Sequence, residues 1–167
     1  MHVPVSEVHH VALIVSDLER SATFYEQGLG YRRTLAAPVG GETLERSLGL
    51  PVGTNGRIQY LQGPSQIGQL ELIEWTEPPG PQPRTGHREL GAFLLSFAVP
   101  AEELDELHAR LESLGAQMVE RPITSTLDNY GDISAFAVYD PDGNLLEFVA
   151  LPTREQILSF RKSQAAG

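Results

Sequence analysis

Two halves of this 167-residue chain repeat the same order of predicted secondary structure, and this repeat constrains the fold more than any other feature. Hydrophobic periodicity predicts a strand, a helix and three strands in the first half, and the same order again in the second. Equivalent positions keep a similar separation: Val15 lies 84 residues before Val99, and Glu71 lies 76 residues before Glu147. A module this short leaves one face of its sheet bare when it stands alone. We therefore predict an α+β fold in which two βαβββ modules form a curved, mixed-sheet trough with the helices outside.

Changes in composition divide the chain into four segments. We predict a first module over residues 7–76, a linker over 77–90, a second module over 91–151 and a tail over 152–167. The linker contains four prolines, which disfavour both a helix interior and a central strand. Within the second module we predict a loop over residues 122–131, and within the tail a helix over residues 154–162.

Alternation along the strands identifies the side chains that are expected to face the trough. On the first strand the aliphatic residues Val11 and Leu13 suit the face under the helix, which leaves His10 on the other face. Glu71 and Glu147 each stand between large apolar residues, so these two carboxylates are expected to face the trough as well. Imidazole and carboxylate groups are suitable ligands for a divalent metal such as Zn, Ni, Mn, Co or Fe. We predict all three as metal ligands, and the two glutamates also as candidate catalytic residues.

Other side chains are candidates for the wall of a substrate pocket. Ile73 and Trp75 share the predicted face of Glu71, and Tyr130, in the predicted loop over residues 122–131, is a further candidate. An apolar and aromatic wall of this kind is typical of a pocket for a small molecule.

Neighbouring residues on a strand face opposite sides, and this rule affects two further pairs. Only one of Gln59 and Tyr60 can face the trough, and the sequence does not decide between them. His9 is expected on the opposite side of its strand from His10.

The charge balance excludes several classes of partner. The chain has 12 Lys and Arg residues against 22 Asp and Glu residues, which gives a formal net charge of −10. Because an acidic surface repels nucleic-acid phosphates and anionic lipids, we expect neither as a partner. The chain contains no cysteine, which excludes disulfides, thiolate metal ligands and a cysteine nucleophile.

Motifs for targeting and for nucleotide binding are also missing from the sequence. The first residues do not combine a basic run with an apolar stretch, and no apolar run approaches the length of a membrane span, so we expect a cytoplasmic protein. The chain contains neither a phosphate-binding loop of the Walker type nor Gly-x-Gly-x-x-Gly, so we expect no nucleotide cofactor.

Four segments together carry a family resemblance: His9-His10-Val-Ala-Leu-Ile-Val-Ser-Asp-Leu-Glu-Arg-Ser-Ala-Thr-Phe-Tyr, Leu29-Gly30-Tyr31, Leu70-Glu71-Leu72 and Asp140-Pro141-Asp142-Gly143-Asn144-Leu145-Leu146-Glu147. They resemble the vicinal oxygen chelate superfamily, which includes glyoxalase I, methylmalonyl-CoA epimerase, extradiol dioxygenases, fosfomycin-modifying enzymes and bleomycin resistance proteins. The resemblance spans about residues 7–151 and implies a glyoxalase-like fold. It also implies that the family's metal-ligand positions fall on His10, Glu71 and Glu147.

The chain departs from this superfamily at the first strand of the second module. The resemblance implies a histidine there, whereas the run Leu94-Leu95-Ser96-Phe97-Ala98-Val99 places Leu94 at that position. We therefore count Leu94 as a candidate for the pocket wall. His87 is the nearest other histidine, but it stands in the linker and is expected on the surface.

Several functions remain open at this point. One is a metal-dependent isomerase, epimerase or lyase that acts on a small substrate with vicinal oxygens. A second is a metal-free protein that binds a small molecule or an antibiotic, and a third is an enzyme that uses Glu71 or Glu147 as a base without metal. An extradiol-type dioxygenase is disfavoured, because one imidazole with two carboxylates is not the ligand set of the non-haem iron oxygenases. A homodimer is expected, since open sheets leave edges and apolar surface to cover.

Overall fold

The computed structural model describes residues 8–65, 68–77 and 94–165, which fall into two compact units. Unit 1 comprises the described residues before Arg84, and unit 2 comprises those after Thr85. The predicted linker lies, except for Glu77, outside the described residues, and so does His87. Each unit is an α+β module that is built around its own sheet.

Unit 1 is a βαβββ module with one additional short helix. Its elements are β1 (His10–Ile14), α1 (Leu18–Leu29), β2 (Arg32–Gly40), α2 (Glu42–Leu48), β3 (Asn55–Gln62) and β4 (Gln69–Glu77). The strands are ordered β1-β4-β3-β2, with β1 parallel to β4 and the other pairs antiparallel. Because β1 lies beside β4, this side of the sheet combines side chains from both ends of the module.

Helix α1 covers one face of this sheet and completes the core of unit 1. The Asp17 side chain accepts a hydrogen bond from a backbone N–H of the first turn, and Gly30, with φ +72°, ends the helix in the left-handed conformation. The buried apolar residues of the helix and of the facing strands are Ala22, Phe24, Tyr25, Leu61, Leu70 and Leu72. Because its two neighbours on β4 point towards α1, Glu71 points to the opposite face.

Unit 2 follows the same order with additional elements. Its elements are β5 (Leu95–Ala98), a 3-10 turn (Ala101–Glu103), α3 (Leu104–Ser113), β6 (Gln117–Met118), β7 (Ile123–Leu127), β8 (Gly131–Tyr139), β9 (Leu145–Ala150) and α4 (Arg154–Ala165). The strand order is β5-β9-β8-β6, with β5 parallel to β9, and β7 pairs with β8. Among the described residues no helix is long and apolar enough to cross a membrane.

The prediction of a loop over residues 122–131 is wrong, because this segment contains β7. The strand pairs antiparallel with β8 through a tight turn, in which the Tyr130 N–H donates to the Leu127 carbonyl over 3.1 Å and Asn129 adopts φ +62°. Its β-branched residues favour the extended conformation. All five residues of β7 are exposed, and only its end residues Ile123 and Leu127 are apolar, so the sequence pattern marks the strand only weakly. The second module is therefore βαββββ.

The two sheets confirm the predicted duplication and the α+β class. Strands β1, β4, β3 and β2 of unit 1 correspond in order and direction to β5, β9, β8 and β6 of unit 2. In unit 2 the buried apolar residues are Leu104, Leu107, Leu111, Phe136, Val138, Leu146, Phe148 and Ala150. These residues place the α3 side of the sheet in the core, and Glu147 on the other side.

Candidate functional site

His10 and Glu71 lie together on the face of the unit 1 sheet that is opposite to α1. The distance between His10 Nε2 and Glu71 Oε2 is 3.3 Å, and the two side chains are 36% and 13% exposed. The strand register explains the contact, because Glu71 pairs with Ala12 on the parallel strand β1 and His10 lies two residues earlier on the same face. The pair is therefore fixed by the sheet itself, and the structure confirms that these two predicted residues share one face.

Tyr60 completes this group from the other neighbouring strand. It pairs directly with Glu71 between β3 and β4, its hydroxyl interacts with the Glu71 carboxylate, and its ring meets the His10 ring edge to face at 5.6 Å between centroids. Burial raises the pKa of Tyr60 above its ordinary 10.0, and the hydrogen bond to Glu71 and the charge of that carboxylate act in the same direction. The phenol therefore remains a hydrogen-bond donor in neutral solution.

The structure also resolves the choice that the sequence left open on β3. Gln59 lies on the α1 side, is only 8% exposed, and donates through Nε2 to the Leu35 carbonyl over 3.1 Å. Tyr60 consequently takes the face of Glu71. Only the pairing of β3 with β4 shows which of the two residues lies beside Glu71, and no local sequence pattern reveals the register of that pairing.

His9 contacts His10, contrary to the prediction that it faces away. The two Nδ1 atoms are 2.9 Å apart, and the rings meet edge to face at 5.2 Å. The prediction is wrong because β1 begins at His10, so His9 precedes the strand and is not bound by its alternation. His9, His10, Glu71 and Tyr60 thus form a continuous chain of contacts within unit 1.

Glu147 occupies the corresponding position in unit 2. It pairs with Ser96 on the parallel strand β5, and the Ser96 hydroxyl donates to Glu147 Oε2 over 2.7 Å. Its antiparallel neighbour on β8 is Ala137, where unit 1 has Tyr60. Leu94 lies two residues before Ser96, as His10 lies two residues before Ala12, so the register makes Leu94 the counterpart of His10.

Unit 1 therefore brings together two of the three predicted metal ligands, His10 and Glu71, while Glu147 lies in unit 2. In the part of the chain that the structure describes, no group of three or more His, Cys, Asp or Glu side chains could hold a metal ion. The donor types of unit 1 fit a divalent cation, because one imidazole nitrogen and one carboxylate oxygen already approach each other. The participation of Glu147 remains a prediction.

The predicted pocket residues are distributed over both units. Ile73 and Trp75 follow Glu71 on the same face of β4, opposite Ile58 and Gly56 on β3. A Cβ at Gly56 would clash with the Glu74 carbonyl oxygen and lie 2.9 Å from Trp75 Cε3, so the glycine leaves room for the neighbouring backbone and for the indole ring. Leu94 and Tyr130 belong to unit 2, where Leu94 directly precedes β5 and Tyr130 ends the turn between β7 and β8. Their role in a pocket remains a prediction.

A cavity of about 280 Å³ lies beside α4, on the face of the unit 2 sheet that is opposite to Glu147. Its lining includes Asp132, Ser134, Gln156 and Phe160. The polar groups among them already have partners, since Asp132 accepts from Thr126 and Ser134 bonds to Thr124. The cavity therefore differs from the Glu147 face in both position and chemistry.

A sequence model of the glyoxalase/bleomycin resistance protein/dioxygenase superfamily matches residues 7–148. This match includes His10, Glu71 and Glu147, the positions on which the resemblance placed the ligands.

Solved structures of other proteins share the fold. A glyoxalase family protein from Bacillus cereus is 22% identical, with a TM-score of 0.76 and coverage of 90% of this chain and 97% of that chain. The fosfomycin resistance protein FosX from Listeria monocytogenes, in complex with Mn(II) and sulfate, is 19% identical, with a TM-score of 0.57 and coverage of 93% of this chain and 99% of that chain.

By sequence, a bleomycin resistance protein from Geobacillus stearothermophilus is 38% identical over 64 residues, which are 38% of this chain and 46% of that protein. That match spans about half of the relative.

Proposed function

This chain belongs to the glyoxalase/bleomycin resistance protein/dioxygenase superfamily, and we propose that it is a metal-dependent enzyme acting on a small molecule with two neighbouring oxygen atoms. The observation that carries this proposal is the approach of His10 Nε2 to Glu71 Oε2 at 3.3 Å, with Glu147 at the corresponding strand position of unit 2. An imidazole beside a carboxylate on a half-exposed sheet face is suited to a cation. The known Mn(II) complex of FosX supports a divalent metal.

His10 and Glu71 would hold the metal through Nε2 and Oε2, and Glu147 would supply a third ligand from unit 2 of the same chain or of a second copy. Zn, Ni, Mn, Co and Fe(II) all accept this combination of donors. When bound, such a metal polarises a carbonyl or hydroxyl oxygen as a Lewis acid. A site with three protein ligands would leave room for the two substrate oxygens.

Glu147 is the proposed proton acceptor. A carboxylate has two oxygen atoms, so one can bind a cation while the other takes a proton from the carbon beside a polarised carbonyl. Glu71 is less suited to this role, because His10 and Tyr60 both contact it. Return of the proton to the same carbon or to its neighbour gives epimerisation or isomerisation, and loss of a leaving group from the neighbouring carbon gives a lyase reaction.

The remaining pocket candidates would bind the substrate around these polar groups. Ile73 and Trp75 continue the face of Glu71 with apolar and aromatic surface, and Leu94 and Tyr130 would add contacts from unit 2. Such side chains exclude water and orient a small substrate, while the few polar groups fix its oxygens.

The decisive experiment is metal analysis of the purified chain by elemental mass spectrometry, after separate loading with Zn, Ni, Mn, Co and Fe(II). We expect about one metal per chain in the wild type, and loss of metal in His10→Ala and Glu71→Gln. Glu74→Gln is the matched control, because Glu74 is on the same strand but pairs with Arg57 on the opposite face. Wild-type protein that retains no metal under any loading would overturn the proposal.

A metal-free binding protein is the second candidate. Leu94 and Ala137 favour it, since unit 2 carries these apolar residues where unit 1 has His10 and Tyr60. The similarity to a bleomycin resistance protein points to the same class. If the metal analysis is negative, calorimetric screening of planar and amphiphilic molecules tests this candidate. Trp75→Ala should then lower the affinity for a molecule that binds in the pocket.

We further propose that the chain forms a homodimer in the cytoplasm, and light scattering on the intact chain tests the dimer. Mixing His10→Ala with Glu147→Gln then distinguishes two arrangements of the site. If units from different chains combine, each heterodimer keeps one intact set of ligands and binds one metal. If both units of a site come from the same chain, every set of ligands lacks one residue and the heterodimer binds no metal.

A further inference from the structure

His9 and Tyr60 contact the two unit 1 ligands from outside the predicted ligand set. Tyr60 lies beside Glu71 on the neighbouring strand and interacts with its carboxylate, and the Nδ1 atoms of His9 and His10 are 2.9 Å apart. Neither contact touches His10 Nε2 or requires a metal to form. Both residues therefore contact the proposed ligands directly.

We propose that His9 and Tyr60 are positioning residues that orient His10 and Glu71 for metal binding, with His9 able to serve as donor or acceptor as the metal requires. This inference rests on the proposed metal site. Partners of this kind fix the ring orientation and the tautomer of a ligating histidine and the direction of a ligating carboxylate.

The tautomers of the two histidines explain why an imidazole suits position 9. An ionised Glu71 only accepts hydrogen bonds, so without metal the neutral His10 presents its proton on Nε2, which faces Glu71 Oε2. Its bare Nδ1 must then accept from His9, which carries its proton on Nδ1. When Nε2 binds a metal, the His10 proton belongs on Nδ1 and is donated to a bare Nδ1 of His9. Neutral His9 satisfies both states by changing its own tautomer.

Tyr60 contributes through a different geometry. Its hydroxyl engages Glu71 from the antiparallel strand, and its ring edge contacts the His10 ring, so one side chain restrains both ligands. The corresponding residue of unit 2, Ala137, offers no such restraint. A tyrosine that restrains both a histidine and a glutamate is thus found in unit 1 and not at the corresponding position of unit 2.

Long-range proton–nitrogen NMR of histidine side chains tests the His9 part, in mildly alkaline buffer where imidazole is ordinarily neutral. Without metal we expect His10 in the Nε2–H form and His9 in the Nδ1–H form. Saturation with Zn(II) should reverse both tautomers, and His10→Gln and His9→Gln assign the signals. If the His9 signal does not change while His10 binds Zn(II), the proposed change of the His9 tautomer is wrong. If neither signal responds, the proposed metal site fails, while the metal-free tautomers still report whether His9 contacts His10.

Zn(II) affinity, measured by competition with a chelator, tests both residues together. Tyr60→Phe and His9→Ala should each weaken binding about 10-fold or more, the range found when such partners of metal ligands are removed. His9→Gln should recover most of the loss, because its amide can also donate or accept. Tyr31→Phe is the matched control, since it removes a half-buried hydroxyl near Tyr25 in the same unit. Equal affinity of Tyr60→Phe, His9→Ala and wild type would contradict the proposal.

Discussion

Ser96 and Glu147 lie opposite each other on the parallel strands β5 and β9, joined by a hydrogen bond of 2.7 Å from the Ser96 hydroxyl. In unit 1 the same position next to Glu71 is Ala12, and the hydroxyl that interacts with the carboxylate belongs to Tyr60 on the antiparallel side. Each module therefore has one hydroxyl group beside its central glutamate, but on opposite neighbouring strands. The two halves have diverged around a shared carboxylate.

Ser96→Ala tests whether this hydrogen bond matters for the proposed metal site. Loss of the donor leaves Glu147 free to rotate, so Zn(II) affinity should fall about 10-fold, as for other partners of metal ligands. Because Ser96 is exposed, the free energy of unfolding should change by less than about 0.5 kcal/mol. Chelator competition and urea unfolding measure the two effects. Ser134→Ala, on the opposite face of the same sheet, is the control, and equal affinity of both variants would show that the Ser96 hydrogen bond does not support the proposed metal site.

Leu94→His tests the register that relates the two modules. The substitution places an imidazole where the resemblance implies one and where unit 1 has His10. If the ligand set is as proposed, the added donor should strengthen Zn(II) binding by at least about tenfold, or about 1.4 kcal/mol. Leu94→Gln controls for the loss of apolar surface. A histidine variant that binds no more tightly than the glutamine variant contradicts the proposed position of the metal.

The sequence was sufficient to predict how His10 and Glu71 are oriented. Both residues lie on strands whose other face is aliphatic, and such a strand has only one way to pack its apolar side. Because the second module repeats the first, the same alternation predicts the orientation of Glu147. These predictions depended only on period-two alternation and on a repeat that is visible in the sequence.

Tyr60, His9 and β7 could not be predicted in this way, each for a separate physical reason. Tyr60 and Gln59 both suit a half-buried strand, and the pairing with β4 decides between them. The position of His9 depends on where β1 begins, which a local pattern does not define to a single residue. Strand β7 is exposed on both faces, so its stability comes from pairing with β8 and not from burial.

Asp140→Ala tests the turn that joins β8 to β9 and so positions Glu147. The Asp140 carboxylate is 5% exposed and accepts hydrogen bonds from the backbone N–H groups of Asp142 and Asn144 and from the Asn144 side chain. Removing this acceptor leaves part-buried donors without this partner, which costs about 1–3 kcal/mol. Urea unfolding followed by circular dichroism should show this loss. Asp140→Asn keeps one acceptor oxygen and should lose less, and equal losses would mean that the hydrogen bonds are not the cause.

Tyr31 gives unit 1 a stability that depends on alkaline pH. Burial raises the pKa of Tyr31 above its ordinary 10.0, because the phenolate would lose hydration in the folded state. The unfolded chain releases this proton first, so the stabilisation is complete below about pH 10 and is lost as the pH rises through the higher folded pKa. In wild type the free energy of unfolding should therefore fall more steeply above pH 10 than in Tyr31→Phe, which has no proton to lose. Urea unfolding at a series of pH values measures both slopes. Parallel curves for the two proteins would show that the Tyr31 phenol is not protected by folding.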